Sequence, residues 1–195
     1  MARRSATIEC RNFCRGMTIV TEDADPRFPI GKFKMPAEIT REDCRFATLT
    51  LGEMPELLRE ALRNLDSDQL NTPYREGGWT LRQLVHHIAD SHMTAFFRVR
   101  LALTEEWPMV PGYPEKAFAL LPDVHAPAEW SLAMIEGLHA RWVMMLQALD
   151  DAQWKRGFAH AERGRQTIEQ ATLLYAGHSR HHIAHITQLR AQQGW

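Results

Sequence analysis

Beyond residue 40 the apolar residues recur at intervals of three and four, and no stretch of strand-like alternation competes with them. Four segments carry the pattern. The first opens at Thr40, with Asp43 three positions on to complete a cap, and runs to about Leu65; Pro55 predicts a kink or a fresh start inside it. Thr80-Leu-Arg-Gln83 has capping-box spacing and opens a second helix that reaches about Leu103. Pro127 stands where a first helical turn tolerates proline, and a third helix follows through WSLAMIEGLHARWVMMLQAL to Leu149. Thr167-Ile-Glu-Gln170 repeats the capping-box spacing and opens a fourth helix to about Gln193, where Gly194 ends it. The pattern predicts an all-α fold with a small hairpin in the loop from Phe158 to Gln166.

The connection between the second and third helices, residues 104 to 127, is rich in proline and much longer than the roughly two to eight residues usual between helices. It is long enough for a crossover that leaves those two helices parallel, and Tyr113, Glu115 and Lys116 are candidates to line an entrance. Residues 1 to about 36 hold Pro26, Pro29 and Pro36 and little periodicity, so they predict an extended arm.

Composition narrows the function classes. A chain of 195 residues with 45% hydrophobic content suits one domain with a proper core. A net charge of −1 and no basic run interleaved with aromatics argue against nucleic acid as a partner. The opening MARRSATIECRNFCRGM lacks the apolar stretch of a secretory signal, and no run of about 18 apolar residues could span a bilayer. A cytoplasmic protein is expected. Cys10, Cys14 and Cys44 are too few and too uneven for a disulfide framework, and a lone C-x3-C is a weak metal motif. No function is assigned to them.

Histidine is where chemistry concentrates. Seven of the ten histidines fall in two short segments, VHHIADSH in the second helix and HSRHHIAHI in the fourth. On the fourth helix Ile168, Tyr175, Ile186 and Leu189 define an inward stripe, and His178 and His182 lie inside it, one turn apart. His185 falls on the shoulder and His181 at the edge. Two imidazoles at this spacing start about 5 to 6 Å apart at their β-carbons and can converge on one ion at about 2 Å.

A third ligand has to come from the second helix. Its inward stripe is Leu81, Leu84, Ile88, Ala95 and Val99, with His92 near the centre. His87 heads a polar lane with Ser91, Thr94 and Arg98 along one flank, as the wall of a lined cavity would. The lane favours His87 slightly over His92. The bland alternative is that histidines on apolar faces are buried and hydrogen-bonded to neighbours, and for His92 and His139 packing or support of a ligand is the better reading. His86 and His181 suit a partner surface or the same supporting role. The apolar, outward Met93, Phe97 and Leu101 suggest a subunit interface and hence a homodimer.

Five segments together, FPIGKF, LNTPYREGGWTLRQLVHHIADSHM, RVRLALTEE, LHARW and YAGHSRHHIAHI, closely resemble the YfiT family of metal-dependent hydrolases within the DinB-like superfamily. The resemblance runs from about Arg27 to Trp195; residues 1–26 look like an added arm or an upstream start, with Met17 as an alternative initiator. It implies an up-down-down-up four-helix bundle over residues 27–195, usually a homodimer, holding one divalent ion, zinc or nickel, on three histidines. Carried onto this sequence, the first ligand is His87 of HHIAD, and the other two are His178 and His182.

Three neutral imidazoles leave a coordination position for water or substrate. Such an ion activates water for hydrolysis or holds a thiol as the thiolate. Hydrolysis calls for a positioned base, and Asp90, Glu105 and Glu106 are not distinguished from one another by sequence. Transfer of a low-molecular-weight thiol such as bacillithiol makes lighter demands, and relatives in the superfamily perform it. The alternatives are therefore a hydrolase, a thiol S-transferase on the same ion, or a non-catalytic bundle in which His185 or His181 closes the shell.

Overall fold

The computed structural model describes residues 25–195; the extension of residues 1–24, with Cys10, Cys14 and Met17, lies outside the described residues. In chain order the elements are α1 (Arg41–Ala61), α2 (Ser67–Leu70), α3 (Leu81–Thr104), β1 (Met109–Val110), α4 (Glu115–Phe118), a 3-10 turn (Pro122–His125), α5 (Ala128–Gln147), α6 (Asp151–Lys155), β2 (Gly157–His160), β3 (Gly164–Thr167) and α7 (Ile168–Gln193). The long helices α1, α3, α5 and α7 form the bundle.

Capping explains where most of these helices begin. Thr40 with Asp43, Thr80 with Gln83 and Thr167 with Gln170 form reciprocal capping boxes, so two otherwise orphaned donors are satisfied at each start. Asp66 with Gln69 and Asp150 with Gln153 do the same for the short α2 and α6. Gly194, at φ +70°, supplies the left-handed residue that ends α7. α1 continues through Pro55 without the fresh start that proline could have marked, and it ends earlier than expected, at Ala61. The continuation is possible because the carbonyl stranded by the proline finds a donor on a neighbouring helix, as described below.

Side-chain contacts give the helix directions. After α3 the chain turns back along it: the Pro111 carbonyl accepts from Arg98 (2.6 Å), the Ala119 carbonyl from Gln83 (3.0 Å), and the Ala126 carbonyl from Arg82 (3.2 Å). Each later carbonyl meets an earlier residue of α3, so the crossover returns to the start of that helix. From there α5 runs parallel to α3, pairing Ser131 with His86 and His139 with His92. α1 and α7 run the opposite way: Arg41 reaches the Leu149 carbonyl past the end of α5 and Arg59 reaches Glu129 at its start, while on α7 the earlier His178 meets His92 and the later His182 packs on His87. The bundle is up-down-down-up.

The expected hairpin is present as β2 and β3. β1 adds to it in parallel, in the order β1-β2-β3, which a two-residue strand without periodicity cannot announce. No helix among the described residues is long and apolar enough to cross a membrane.

Apolar side chains collect in two clusters along the bundle. One holds Leu51, Phe96, Val99, Trp142 and Ile168; the other holds Met54, Leu84, Ile88, Ile135 and Ile186. Between them, at one level of all four helices, lie the Leu51 carbonyl and His92, His139 and His178. The functional residues therefore sit in a polar layer clamped by two dry ones.

Candidate metal centre

His87 comes from α3, and His178 and His182 from successive turns of α7. Their ring nitrogens converge: His178 Nε2 lies 3.1 Å from His182 Nε2 and 3.3 Å from His87 Nε2. Donor atoms at about 2.0–2.1 Å from a tetrahedral ion would stand about 3.3 Å apart, so the spacing fits a divalent metal bound by imidazole. His87 and His182 are buried, while His178 keeps a partial opening to solvent. The donor set is also neutral, as metal ligation requires.

Charge is excluded from the cluster by desolvation. Burial holds His87 down to about 4, and burial followed by the charges of neighbouring histidines pushes His178 and His182 well below 6.5. In each case the unfolded chain takes up its proton at a higher pH than the folded chain does. The stability of the metal-free protein is thus complete above about pH 6.5 and declines as pH falls toward the folded values, His87 alone accounting for about 3 kcal/mol by about pH 4. Urea midpoints at about pH 7.5 and about pH 4.5 check this; equal midpoints would contradict it.

Aromatic rings pack around the triad. Trp79 packs at a tilt against His87 with centroids 4.6 Å apart, and Tyr113 from the crossover stacks on the same ring at 5.9 Å. Beside His87 is a cavity of about 40 Å³ lined in part by Gln83, His86, Asp90, Tyr113 and Asp123. Burial, with the charge of Asp123 added, raises the Asp90 carboxyl above the ordinary carboxylate range. Tyr113 thus takes the place expected at an entrance, and Glu115 joins it on the cavity wall, whereas Lys116 does not.

The other histidines separate into distinct roles. His92, the competing candidate on the α3 stripe, lies behind the triad, its Nε2 3.0 Å from His178 Nδ1. His86 is not on an outward face: Nε2–H donates to the Ala126 carbonyl and Nδ1 accepts from Ser131, which fastens the end of the crossover. His181 and His185 form their own pair at 3.0 Å and, with His182, a second cluster of donor atoms. His185 is deeply buried and packs at a tilt against Tyr74, centroids 4.1 Å apart, more inward than its shoulder position suggests. Of the polar lane, Arg98 donates from one guanidinium nitrogen to the Pro111 carbonyl, and Thr94 donates its hydroxyl to the Asp90 carbonyl. Glu105, the C-cap of α3, and Glu106 are absent from the cavity wall.

The architecture and cluster define a helical bundle with a histidine-lined candidate ion site. Residues 50–186 match the DinB superfamily, and the chain belongs to it. Within that superfamily it groups with YfiT. The solved structure of YfiT from Bacillus subtilis, described as "a probable metal-dependent hydrolase with an unusual four-helix bundle topology", is 45% identical, covers 88% of this chain and 99% of its own, and superposes with a TM-score of 0.85. A Bacillus mycoides (strain KBAB4) protein named "putative metal-dependent hydrolase" is 44% identical over 171 residues, 88% of this chain and 99% of that protein. The four-helix bundle protein TT2238 shares the fold at 24% identity and a TM-score of 0.50, covering 78% of this chain and 99% of its own.

Proposed function

We propose that this chain is a metal-dependent hydrolase in which His87, His178 and His182 hold one divalent ion, zinc or nickel, through their Nε2 atoms. The observation that carries the reading is the convergence of three neutral imidazole nitrogens from two helices, beside a cavity. The names of the Bacillus relatives point the same way. An ion held there would lower the pKa of a bound water toward about 7 and keep a coordination position open.

The residues of the chain supply the rest. Asp90 lines the cavity that His87 borders, and its raised carboxyl suits the acceptance of a proton from water. Trp79 and Tyr113 flank the His87 ring and limit solvent access to it. This favours hydrolysis over thiol S-transfer, for which no base is needed.

Protein loaded with zinc or nickel is expected to hydrolyse members of a panel of esters, amides and phosphoesters without added thiol, to stop when the metal is chelated, and to lose about 10²-fold or more in kcat with Asp90→Asn. Turnover that requires bacillithiol or another thiol would instead identify the transferase, and a fully protein-ligated ion with no turnover would identify a structural site.

A homodimer completes the proposal. Met93 and Phe97 are 45% and 61% exposed on α3, and Trp130 and Met134 are 69% and 39% exposed on the adjoining α5. An apolar surface of this kind is more economically covered by a second copy than left in water. Phe97→Asp is expected to sediment as a monomer at a concentration where the parent protein is a dimer; a monomeric parent at micromolar concentration would contradict the proposal.

A further inference from the structure

Pro55 lies four residues after Leu51 in α1. In an unbroken helix the residue-51 carbonyl accepts from the N–H of residue 55, and proline has none. That carbonyl belongs to a fully buried residue, so it needs another donor. His139 of α5 provides it, Nδ1 lying 2.6 Å away.

The consequence propagates through three rings. A carbonyl can only accept, so His139 must carry its proton on Nδ1, and its Nε2 is left as an acceptor. His92 Nδ1 lies 2.9 Å from that Nε2 and must donate to it, which leaves His92 Nε2 as an acceptor in turn. His178 Nδ1 lies 3.0 Å from His92 Nε2 and donates to it. His178 is thereby left with a lone pair on Nε2, the atom that faces His87 and His182. No ring in the chain has a free choice of tautomer, because only the Leu51 end is chemically one-directional.

We propose that the relay Leu51 carbonyl–His139–His92–His178 sets the tautomer of His178, so that its Nε2 is unprotonated and aimed before any ion arrives, with Pro55 freeing the carbonyl that anchors it. His92 and His139 are positioning residues. The relay deepens the metal-site reading and rests on it for its purpose, but the tautomer is a property of the metal-free chain. Trp142 and Tyr175, whose rings lie 6.1 and 5.2 Å from that of His92, wall the relay and keep water from offering the rings other partners.

Two measurements on the full-length chain test it. In the metal-free protein, ¹⁵N-resolved imidazole spectra are expected to show His178, His92 and His139 each protonated on Nδ1, with His178 becoming a tautomer mixture in His139→Leu. A His178 protonated predominantly on Nε2 in the parent protein would overturn the proposal, whatever the metal result. In competition with a chromophoric chelator, Zn²⁺ affinity is expected to fall by about 10- to 100-fold in His92→Leu and His139→Leu, and to recover in part in His139→Gln, whose amide can still donate to the Leu51 carbonyl. Unchanged affinity in both leucine variants, with helicity and urea midpoint retained, would equally overturn it. Absence of Zn²⁺ binding by the parent protein would defeat the metal reading instead, and the spectra would still decide the relay.

Discussion

Replacement of His178 by alanine is expected to reduce divalent-metal affinity by more than about 100-fold, beyond the upper end of what loss of a supporting partner costs. His178 is the hinge of the triad: its Nε2 lies within 3.3 Å of both other candidate donors, and it is the one joined to the relay behind. Alanine leaves two histidines on different helices, His87 and His182, without the nitrogen that stands between them. It also leaves the fully buried His92 without its donor at Nε2. Metal content after dialysis against weak chelator, measured on the variant and on the parent protein side by side, checks the result. A variant that retains a full equivalent would remove His178 from the site.

A second large effect is expected from Trp142→Ala, a loss of about 3–5 kcal/mol of stability. Trp142 is fully buried and packs against Phe96 and Tyr175 on the dry side and His92 and His139 on the polar side. Its removal opens a cavity where the relay meets the apolar cluster, among rings contributed by α3, α5 and α7. Its Nε1 has no partner, so Trp142→Phe removes an unsatisfied donor along with part of the ring and is expected to cost much less than alanine. Urea unfolding with an unchanged m-value is the measurement. A loss under about 1 kcal/mol in the alanine variant would show that the neighbouring rings collapse into the space.

Helices and their starts were legible because their signals are local. Thr40, Thr80 and Thr167 announce caps within four residues, and the apolar stripes announce faces. The crossover was legible from length alone. Pro55 pointed to a kink or a fresh start because a proline is read by what it does to its own helix; the helix runs on, and the carbonyl that the proline strands is met by His139, 88 residues away in sequence. The same limit explains β1 and the position of His86, which is set by Ala126 and Ser131 on segments that no helical wheel of α3 can see.

For the candidate site, face analysis found His178 and His182 together because one helix carries both, at a spacing that a single turn dictates. Between His87 and His92 it gave only the slight preference of the polar lane, since both lie near the inward face of α3, and the family resemblance decided for His87. Three dimensions separate them by depth: His87 meets the triad at Nε2, and His92 stands one ring behind. Asp90 emerged from Glu105 and Glu106 for a similar reason, being the one that the crossover brings to a cavity wall with Tyr113. Of the three apolar residues read as outward by periodicity, Met93 and Phe97 are exposed, whereas Leu101 is half-buried and packs against the apolar cluster of Leu51 and Trp142.

The most direct test of the metal reading is elemental analysis of the full-length chain purified without an affinity tag and without added metal or chelator. Close to one divalent ion per chain is expected, released as pH is lowered and the imidazoles take up protons. A preparation that is folded, carries no stoichiometric metal, and takes up neither zinc nor nickel when they are supplied would contradict it.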